Sequence, residues 1–323
     1  MTTVAAVDCG TNSIRLLVAA PAQAAGSVGD RILTLRDIHR EMRVVRLGQG
    51  VDATGRLADE AIDRTRIALS DYVDIMRSLG VERVRMVATS ATRDATNRDA
   101  FFAMAAEVLG CVVEGAGAEV ISGDEEARLS YRGAVGELGS ATGSFVVTDL
   151  GGGSTEVVLG DVRGVSAAYS ADIGCVRTTE RCLHSDPPTP DEIAAAKEFI
   201  RSRLAAAFAA VPVESANAWV GVAGTMTTLV ALAQGMTTYD SEAIHLSQIG
   251  LDQLHEVCGR LVSMTRAQRA ALGPMHAGRV DVIGGGALVA QELAVVLAER
   301  AGIDSLVVSE HDILDGIALG LLD

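Results

Sequence analysis

The chain has 323 residues, 49% of them hydrophobic and only 3% aromatic, and its formal net charge is −15. Its length is about twice that of a common domain, which predicts two domains with separate cores. The acidic balance excludes a long nucleic acid as the ligand, because such binding depends on clustered Lys and Arg. The cysteines form no C-x-x-C pair, and no apolar run approaches the about 18–20 residues that span a membrane. We therefore expect a reduced, cytoplasmic protein without a membrane segment.

The predicted elements form two similar series. The first series opens with three strands and continues with helix, strand, helix and strand. Its opening strands are expected at Val4–Asp8, Ile14–Ala20 and Ile32–Leu47. A new helix begins near Ser122, and three further strands follow from Phe145. Helices and strands then alternate, with a late strand expected at Val280–Ile283.

Two halves of this kind predict an α/β fold of two ribonuclease-H-like domains. This is the actin-like phosphotransferase architecture of sugar kinases, Hsp70 and actin, with an interdomain cleft. A Rossmann-type doubly wound sheet is the alternative, but no G-x-G-x-x-G follows the first strand. The final strand and helix, Ser305–Leu322, are expected to return to the first domain. The predicted domains are therefore residues 1–124 with 306–323, and residues 125–305.

A short pattern occurs once in each half, directly after the first strand. Asp8 is followed by Gly10 and Ser13, and Asp149 is followed at the same spacing by Gly151 and Ser154. Glycine lets the backbone approach a ligand, the N–H groups of such a turn bind anions, and the Asp can reach a metal ion. The alternative is an ordinary β-hairpin, because these residue types also form turns.

The second copy is the more informative one. Gly151, Gly152 and Gly153 are consecutive, so their backbone donors are not covered by side chains. Asp149 and Glu156 lie on either side of the turn, and both can bear on one Mg²⁺, which prefers a few carboxylates together with water and phosphate oxygens. The alternative is a flexible hairpin with exposed acidic residues.

The helix that begins after Ser122 carries three acidic residues in its first turn. Ser122 and Glu125 form an S-x-x-E capping box, which explains Glu125 structurally. Glu126 points about 100° away around the helix. It is either a carboxylate that accepts a proton from an attacking water or an acid favoured there by the helix dipole.

Two further segments lie at the ends of predicted strands. Arg93 follows a buried strand and is suited to bidentate phosphate binding. Its alternative role is a helix-entry residue paired with Asp94 or Asp99. Gly224 and Thr225 form a strand-to-helix turn that either meets an anion at the helix N-terminus or provides close packing.

Together, the motifs resemble the exopolyphosphatase and guanosine pentaphosphate phosphohydrolase family (Ppx/GppA). They occur in the family order over nearly the whole chain. The matching stretches are DCGTNSIR (8–15), ATSATRDATN (88–97), VISGDEEARL (120–129), DLGGGSTE (149–156), DIGCVRTTE (172–180), GVAGTMTTL (221–229) and RVDVIGGGAL (279–288).

The resemblance implies an exopolyphosphatase that releases terminal orthophosphate from inorganic polyphosphate, with Mg²⁺ or Mn²⁺. The alternatives are hydrolysis of the 5′ phosphate of guanosine pentaphosphate and a weakly active polyphosphate or alarmone sensor. An actin-like sugar or acetate kinase is a further class. The family also suggests a homodimer.

Family roles can be carried over to matching positions. Glu126 corresponds to the catalytic base, and Asp149 and Glu156 to metal-associated acids, to which we add Asp8. The expected phosphate contacts are Thr11, Asn12, Ser13, Arg15, Arg93, Gly151, Gly152, Gly153, Ser154, Gly224 and Thr225.

The chain departs from the family pattern at a few points. Thr11 stands where Ser is usual, and Leu314 stands where the last helix usually has Arg. The chain also resembles short family members that lack the C-terminal helical HD-like region. We expect such a form to hold fewer phosphates and to prefer shorter chains.

Overall fold

The computed structural model describes residues 2–22, 34–136, 138 and 143–323 of the chain. Its contacts divide the protein into two compact units, which are Met1–Gly136 with Ile313–Asp323, and Glu137–Asp312. Each unit has its own mixed β-sheet and its own apolar core. The predicted α/β class is therefore confirmed. None of the described helices has the length and apolar character of a transmembrane segment.

The first unit contains five strands and six helices among its described residues. Its strands are β1 Val4–Cys9, β2 Ser13–Pro21, β3 Leu35–Val44, β4 Arg83–Ala88 and β5 Ala118–Val120. Its helices are α1 Val51–Thr54, α2 Asp59–Ser78, α3 Ser90–Asp94, α4 Arg98–Leu109, α5 Gly123–Val135 and, at the chain's end, α13 Ile313–Leu322.

The sheet of the first unit has the order β3-β2-β1-β4-β5. β1 to β3 form an antiparallel meander, while β4 and β5 run parallel to β1. This is the predicted ribonuclease-H-like order. Residues 32 and 33 of the expected third strand lie outside the described part of the chain. Because β1 and β4 are parallel, Cys9 and Ala88 are paired at their carboxyl ends, where the candidate site residues lie.

The C-terminal helix α13 covers one face of this sheet together with α5. Gly316 lies directly against the backbone of Leu129, so the two helices approach closely. Arg40 on β3 donates to the buried carboxylate of Asp315 on α13. Burial alone would lower the pKa of Arg40, but the carboxylates of Asp315 and Asp37 together outweigh it, and the pKa is raised. Leu314 packs in the apolar cluster on this face of the sheet.

The second unit contains six strands and seven α-helices in its described part. The strands are β6 Ser144–Leu150, β7 Thr155–Asp161, β8 Gly164–Ala171, β9 Ala216–Val222, β10 Gln248–Gly250 and β11 Ser305–Val308. The helices are α6 Cys175–Cys182, α7 Pro190–Ala210, α8 Ala223–Ala233, α9 Ser241–Ile244, α10 Leu251–Ser263, α11 Arg266–Ala270 and α12 Ile283–Ala301.

The sheet of the second unit has the order β10-β11-β9-β6-β7-β8. The predicted strand at Val280–Ile283 is wrong, because these residues form a turn that leads into α12. The strand next to β9 in this sheet is β11. It runs parallel to β9, and Leu306 is paired with Trp219. A short apolar run does not by itself distinguish a strand from a buried helix start.

The two units differ in extent from the predicted domains. β11 belongs to the second sheet, although we expected residues 306–323 to return to the first domain. α5 belongs to the first unit, although we expected the second domain to begin at residue 125. The reason is the close packing of α5 on α13, where Arg132 also donates two hydrogen bonds to Asp323. Only α13 returns to the first unit.

Candidate active site

The first phosphate-type turn connects β1 to β2. The amide of Gly10 donates to the carbonyl of Ser13 over 3.0 Å, which closes the turn. Asp8 and Arg15 face each other across the two strands. Arg15 donates to Asp8 Oδ2 from Nε at 3.0 Å and from Nη2 at 2.7 Å. The buried carboxylate of Asp8 is therefore charge-paired within its own hairpin.

The segment after β3 holds the outer side of this turn. Gly48 N donates to the carbonyl of Thr11 over 2.8 Å. Val45 N and Arg46 N donate to the carbonyl of Asn12 over 3.1 and 2.8 Å. The backbone of the turn is thus fixed by other main-chain groups.

The start of α3 lies beside the same turn. The Thr11 and Ser90 hydroxyl oxygens are 2.9 Å apart, and both side chains are buried. Because the parallel strands β1 and β4 end together, their polar residues meet at this edge of the sheet.

Glu126 lies in the first turn of α5 and is buried. Ser122 caps this helix by accepting from Glu125 N, which confirms the serine half of the predicted capping box; within the described residues the Glu125 side chain does not bond back to the Ser122 amide. Glu125 is exposed and pairs with Arg85 on the surface. The two neighbouring carboxylates therefore differ. Glu125 forms an ion pair at the surface, whereas the Glu126 side chain is buried in the first unit.

Arg93 on α3 joins Glu126 to the end of β5. Its Nη1 donates to Glu126 Oε2 over 2.7 Å and to the Ile121 carbonyl over 3.1 Å. Within the described residues, Nε and Nη2 of Arg93 have no acceptor, and 22% of its side chain is exposed. Arg93 can therefore hold Glu126 with one nitrogen and bind an anion with the others. It does not pair with Asp94 or Asp99.

The second turn connects β6 to β7 and repeats the backbone of the first. The amide of Gly151 donates to the carbonyl of Ser154 over 3.1 Å. Asp149 and Glu156 face each other across the strands, at the positions that Asp8 and Arg15 occupy in the first hairpin. Both carboxylates are buried, and Glu156 accepts from the Ser170 hydroxyl over 2.7 Å.

The N-terminus of α6 lies behind the second turn. Cys175 N donates to the carbonyl of Gly151 over 3.0 Å, and Val176 N donates to that of Gly152 over 2.9 Å. Burial raises the pKa of the Cys175 thiol, which favours its neutral form.

Arg177 completes this arrangement on α6. Its amide donates to the Gly152 carbonyl over 3.1 Å, and its Nε donates to the Gly153 carbonyl over 2.8 Å. The whole turn is therefore held from the side of α6.

Gly224 and Thr225 lie at the start of α8, directly after β9. β9 is parallel to β6, and Val222 is paired with Asp149, so this turn is at the same edge of the second sheet. The guanidinium of Arg279 lies against Gly224 and donates to the Thr228 hydroxyl over 3.2 Å. Arg279 brings a positive charge to the helix N-terminus, which favours an anion there.

Within each unit, the structure brings the predicted residues together at one edge of the sheet. Three residues beside them were missed by the sequence reasoning: Ser90, Arg177 and Arg279. All three lie in the stretches 88–97, 172–180 and 279–288 that support the family resemblance, and this membership was the available signal.

Asp149 and Glu156 fit a divalent cation. Among the described residues there is no cluster of three or more His, Cys, Asp or Glu side chains that would form an all-protein metal site. Two acidic side chains facing each other across a strand pair present carboxylate oxygens to the same space. Mg²⁺ typically uses one or two carboxylates and takes its other ligands from water and phosphate. The pair therefore suits Mg²⁺.

The fold and these turns define a phosphate-handling protein with an actin-like architecture. The chain matches the Ppx/GppA phosphatase family over residues 25–320, and it belongs to that family. It is 65% identical to Exopolyphosphatase 2 of Mycobacterium tuberculosis, over 99% of both chains.

Solved structures agree with this assignment. An exopolyphosphatase-like protein superposes with a TM-score of 0.89 at 39% identity, covering 99% of this chain and 97% of the other. The Aquifex aeolicus member of the Ppx/GppA family superposes with a TM-score of 0.77 at 30% identity, covering 99% of this chain and 98% of the other.

Proposed function

We propose that this protein is an exopolyphosphatase that hydrolyses the terminal phosphoanhydride bond of inorganic polyphosphate. The observation that carries the proposal is the pair of the buried Glu126 with the partly exposed Arg93 beside a phosphate-type turn in the first unit. Family membership and the 65% identity to a protein named Exopolyphosphatase 2 support it.

Glu126 serves as the general base. A water molecule attacks the terminal phosphorus, Glu126 accepts its proton, and the bond from that phosphorus to the bridging oxygen breaks. The products are orthophosphate and a chain that is one phosphate shorter. Base catalysis of this type contributes about 10²–10⁴-fold to the rate.

Arg93 orients the base and binds the substrate. Its Nη1 fixes the Glu126 carboxylate, while Nε and Nη2 are directed to oxygens of the terminal phosphate. Thr11, Asn12 and Ser13 in the first turn bind phosphate through the backbone and hydroxyl groups. Because Arg15 pairs with Asp8, we assign this hairpin to phosphate binding and not to the metal.

Asp149 and Glu156 hold Mg²⁺ or Mn²⁺ in the second unit. When bound, the metal ion neutralises charge on the phosphate oxygens. Gly151, Gly152, Gly153 and Ser154 bind phosphate through their amides, and Gly224 and Thr225 bind it at the start of α8 with the help of Arg279. We propose shorter polyphosphate chains as the preferred substrate.

The decisive experiment compares two neighbouring glutamates on α5. The wild type, Glu126→Gln and the matched control Glu125→Gln are incubated with Mg²⁺ and polyphosphate of defined length, and orthophosphate release is measured. We expect Glu126→Gln to lose about 10²–10⁴-fold in kcat, because the amide accepts no proton. Glu125→Gln should stay within about twofold, because Glu125 lies on the surface.

Parallel assays with guanosine pentaphosphate and ATP separate the alternatives. Release from guanosine pentaphosphate alone would replace the proposed substrate. Binding of polyphosphate without release would make the protein a sensor, and phosphate transfer to an acceptor would make it a kinase. Full activity of Glu126→Gln would remove Glu126 from its role.

We further propose a cytoplasmic homodimer. The five cysteines are all free thiols, which agrees with a reducing compartment. The family resemblance supports the dimer, and light scattering of the purified protein measures it. A monomeric mass would contradict this part of the proposal.

A further inference from the structure

The second phosphate turn has all three glycine carbonyls bound on one side. The carbonyls of Gly151 and Gly152 accept from amides at the start of α6, and that of Gly153 accepts from the side chain of Arg177. Gly174, just before α6, lies directly against Gly151 and Gly152, so the helix start approaches the turn closely.

These contacts also fix the direction in which the amides of the turn point, because each peptide group is planar. In a planar trans peptide, the carbonyl of one residue and the N–H of the next point in opposite directions. Fixing the carbonyls of Gly151, Gly152 and Gly153 therefore turns the amides of Gly152, Gly153 and Ser154 away from α6. Among the described residues, no protein acceptor binds these three amides. Consecutive free amides on one side of a turn form an anion-binding nest.

The first turn differs from the second in the groups that bind its carbonyls. There, the carbonyls of Thr11 and Asn12 accept from main-chain amides of residues 45–48. Asn12 and Gly153 occupy equivalent positions in the two turns. The Gly153 carbonyl is held by a side chain, so the last amide of the nest, that of Ser154, depends on the identity of residue 177.

We infer that Arg177 is a positioning residue that presets the Ser154 amide for phosphate. The inference rests on the proposed function, because the anion is taken to be the phosphate chain of the substrate. Arg177 acts through Gly153 and the turn backbone, from the side opposite to the nest. It adds a charge-assisted hydrogen bond, which is stronger than a neutral one.

The experiment measures both turnover and binding. The variants are Arg177→Ala, Arg177→Lys and the matched control Arg163→Ala. Arg163 is exposed and pairs with Asp161, which lies at the opposite end of β7 from the turn. Initial rates are measured with Mg²⁺ and tripolyphosphate, and binding is measured with methylenediphosphonate, which is not hydrolysed. Thermal unfolding of each variant is followed in parallel.

We expect Arg177→Ala to raise KM for tripolyphosphate and to weaken methylenediphosphonate binding about tenfold or more, because a hydrogen bond to a charged group is lost. Thermal unfolding should show that Arg177→Ala, like Arg163→Ala, is folded at the assay temperature. Ethylguanidine at millimolar concentration should restore binding in Arg177→Ala, and Arg177→Lys should retain an intermediate affinity. Arg163→Ala should behave as wild type.

Unchanged KM and unchanged binding in Arg177→Ala would overturn the inference, and so would a loss that ethylguanidine does not restore. A wild type that binds methylenediphosphonate, loses that binding in Arg177→Ala and hydrolyses no polyphosphate would preserve the inference and refute the proposed function. A wild type that binds neither probe would refute both.

Discussion

The two hairpin turns share a backbone but differ in charge. In both, an amide two residues after Asp closes the turn on a Ser carbonyl, at 3.0 Å in the first and 3.1 Å in the second. Asp8 faces Arg15, whereas Asp149 faces Glu156. A single cross-strand position thus gives one hairpin an ion pair and the other two facing acidic side chains. Under the proposed function both turns bind phosphate, and the residue opposite the Asp decides whether the hairpin also holds the metal ion.

The turns also differ in how they are fixed. Main-chain amides of residues 45–48 hold the first, while the start of α6 and the Arg177 side chain hold the second. In both units the supporting segment follows the third strand of the meander. The backbone hydrogen bond that closes the turn is therefore repeated, whereas the groups that support the turn differ.

The largest expected effect of these comparisons comes from changing the residue that faces the Asp in each hairpin. Glu156→Gln removes one of the two facing carboxylates, so kcat should fall about 10²–10³-fold and the Mg²⁺ concentration needed for half-maximal activity should rise. Arg15→Gln should mainly raise KM. Mg²⁺ titrations of the initial rate measure both effects.

Asp161→Asn, at the opposite end of β7, is the matched control for Glu156→Gln and should retain wild-type Mg²⁺ dependence. If Arg15→Gln changed the Mg²⁺ dependence and Glu156→Gln did not, the two hairpins would have exchanged roles.

A smaller effect is expected from the support of each turn. A methyl group added at Gly174 meets the backbone of Gly152, whereas one added at Gly48 meets the side chains of Thr11 and Ala91. The Gly152 backbone cannot turn aside, so Gly174→Ala should cost about 3 kcal/mol of unfolding free energy, while Gly48→Ala, which meets two short side chains, should cost about 1–3 kcal/mol. Urea unfolding of both variants measures the difference. Equal losses would show that the two supports are equally rigid.

The smallest effect concerns the buried Thr11–Ser90 contact of the first turn. Ser90→Ala leaves the Thr11 hydroxyl without this partner and should cost about 1 kcal/mol of unfolding free energy. Thr11→Ser keeps a hydroxyl and should cost less. Urea unfolding distinguishes the variants, and a larger loss in Thr11→Ser would show that the methyl group of Thr11 matters more than its hydroxyl.

Local sequence patterns predicted much of the fold. The strand order of the first unit, the cap at Ser122 and both strand–Asp–Gly turns follow from periodicity and turn chemistry, which act over a few residues. The late strand was misplaced at Val280–Ile283. An apolar run preceding three glycines has no local feature that excludes a helix start, and the partner strand β9 is remote in sequence.

The sequence by itself determined that each half would carry one phosphate-type turn, because strand, Asp, Gly and Ser at this spacing define a turn locally. Tertiary structure decided the partners: Arg15 pairs with Asp8, Arg93 with Glu126, and Arg177 with the Gly153 carbonyl. It also placed α5 on α13, where Gly316 allows close packing. Most of these contacts join residues that are remote in sequence, such as Gly316 and Leu129, so only the packing of the whole unit selects among the available arginines and helix faces.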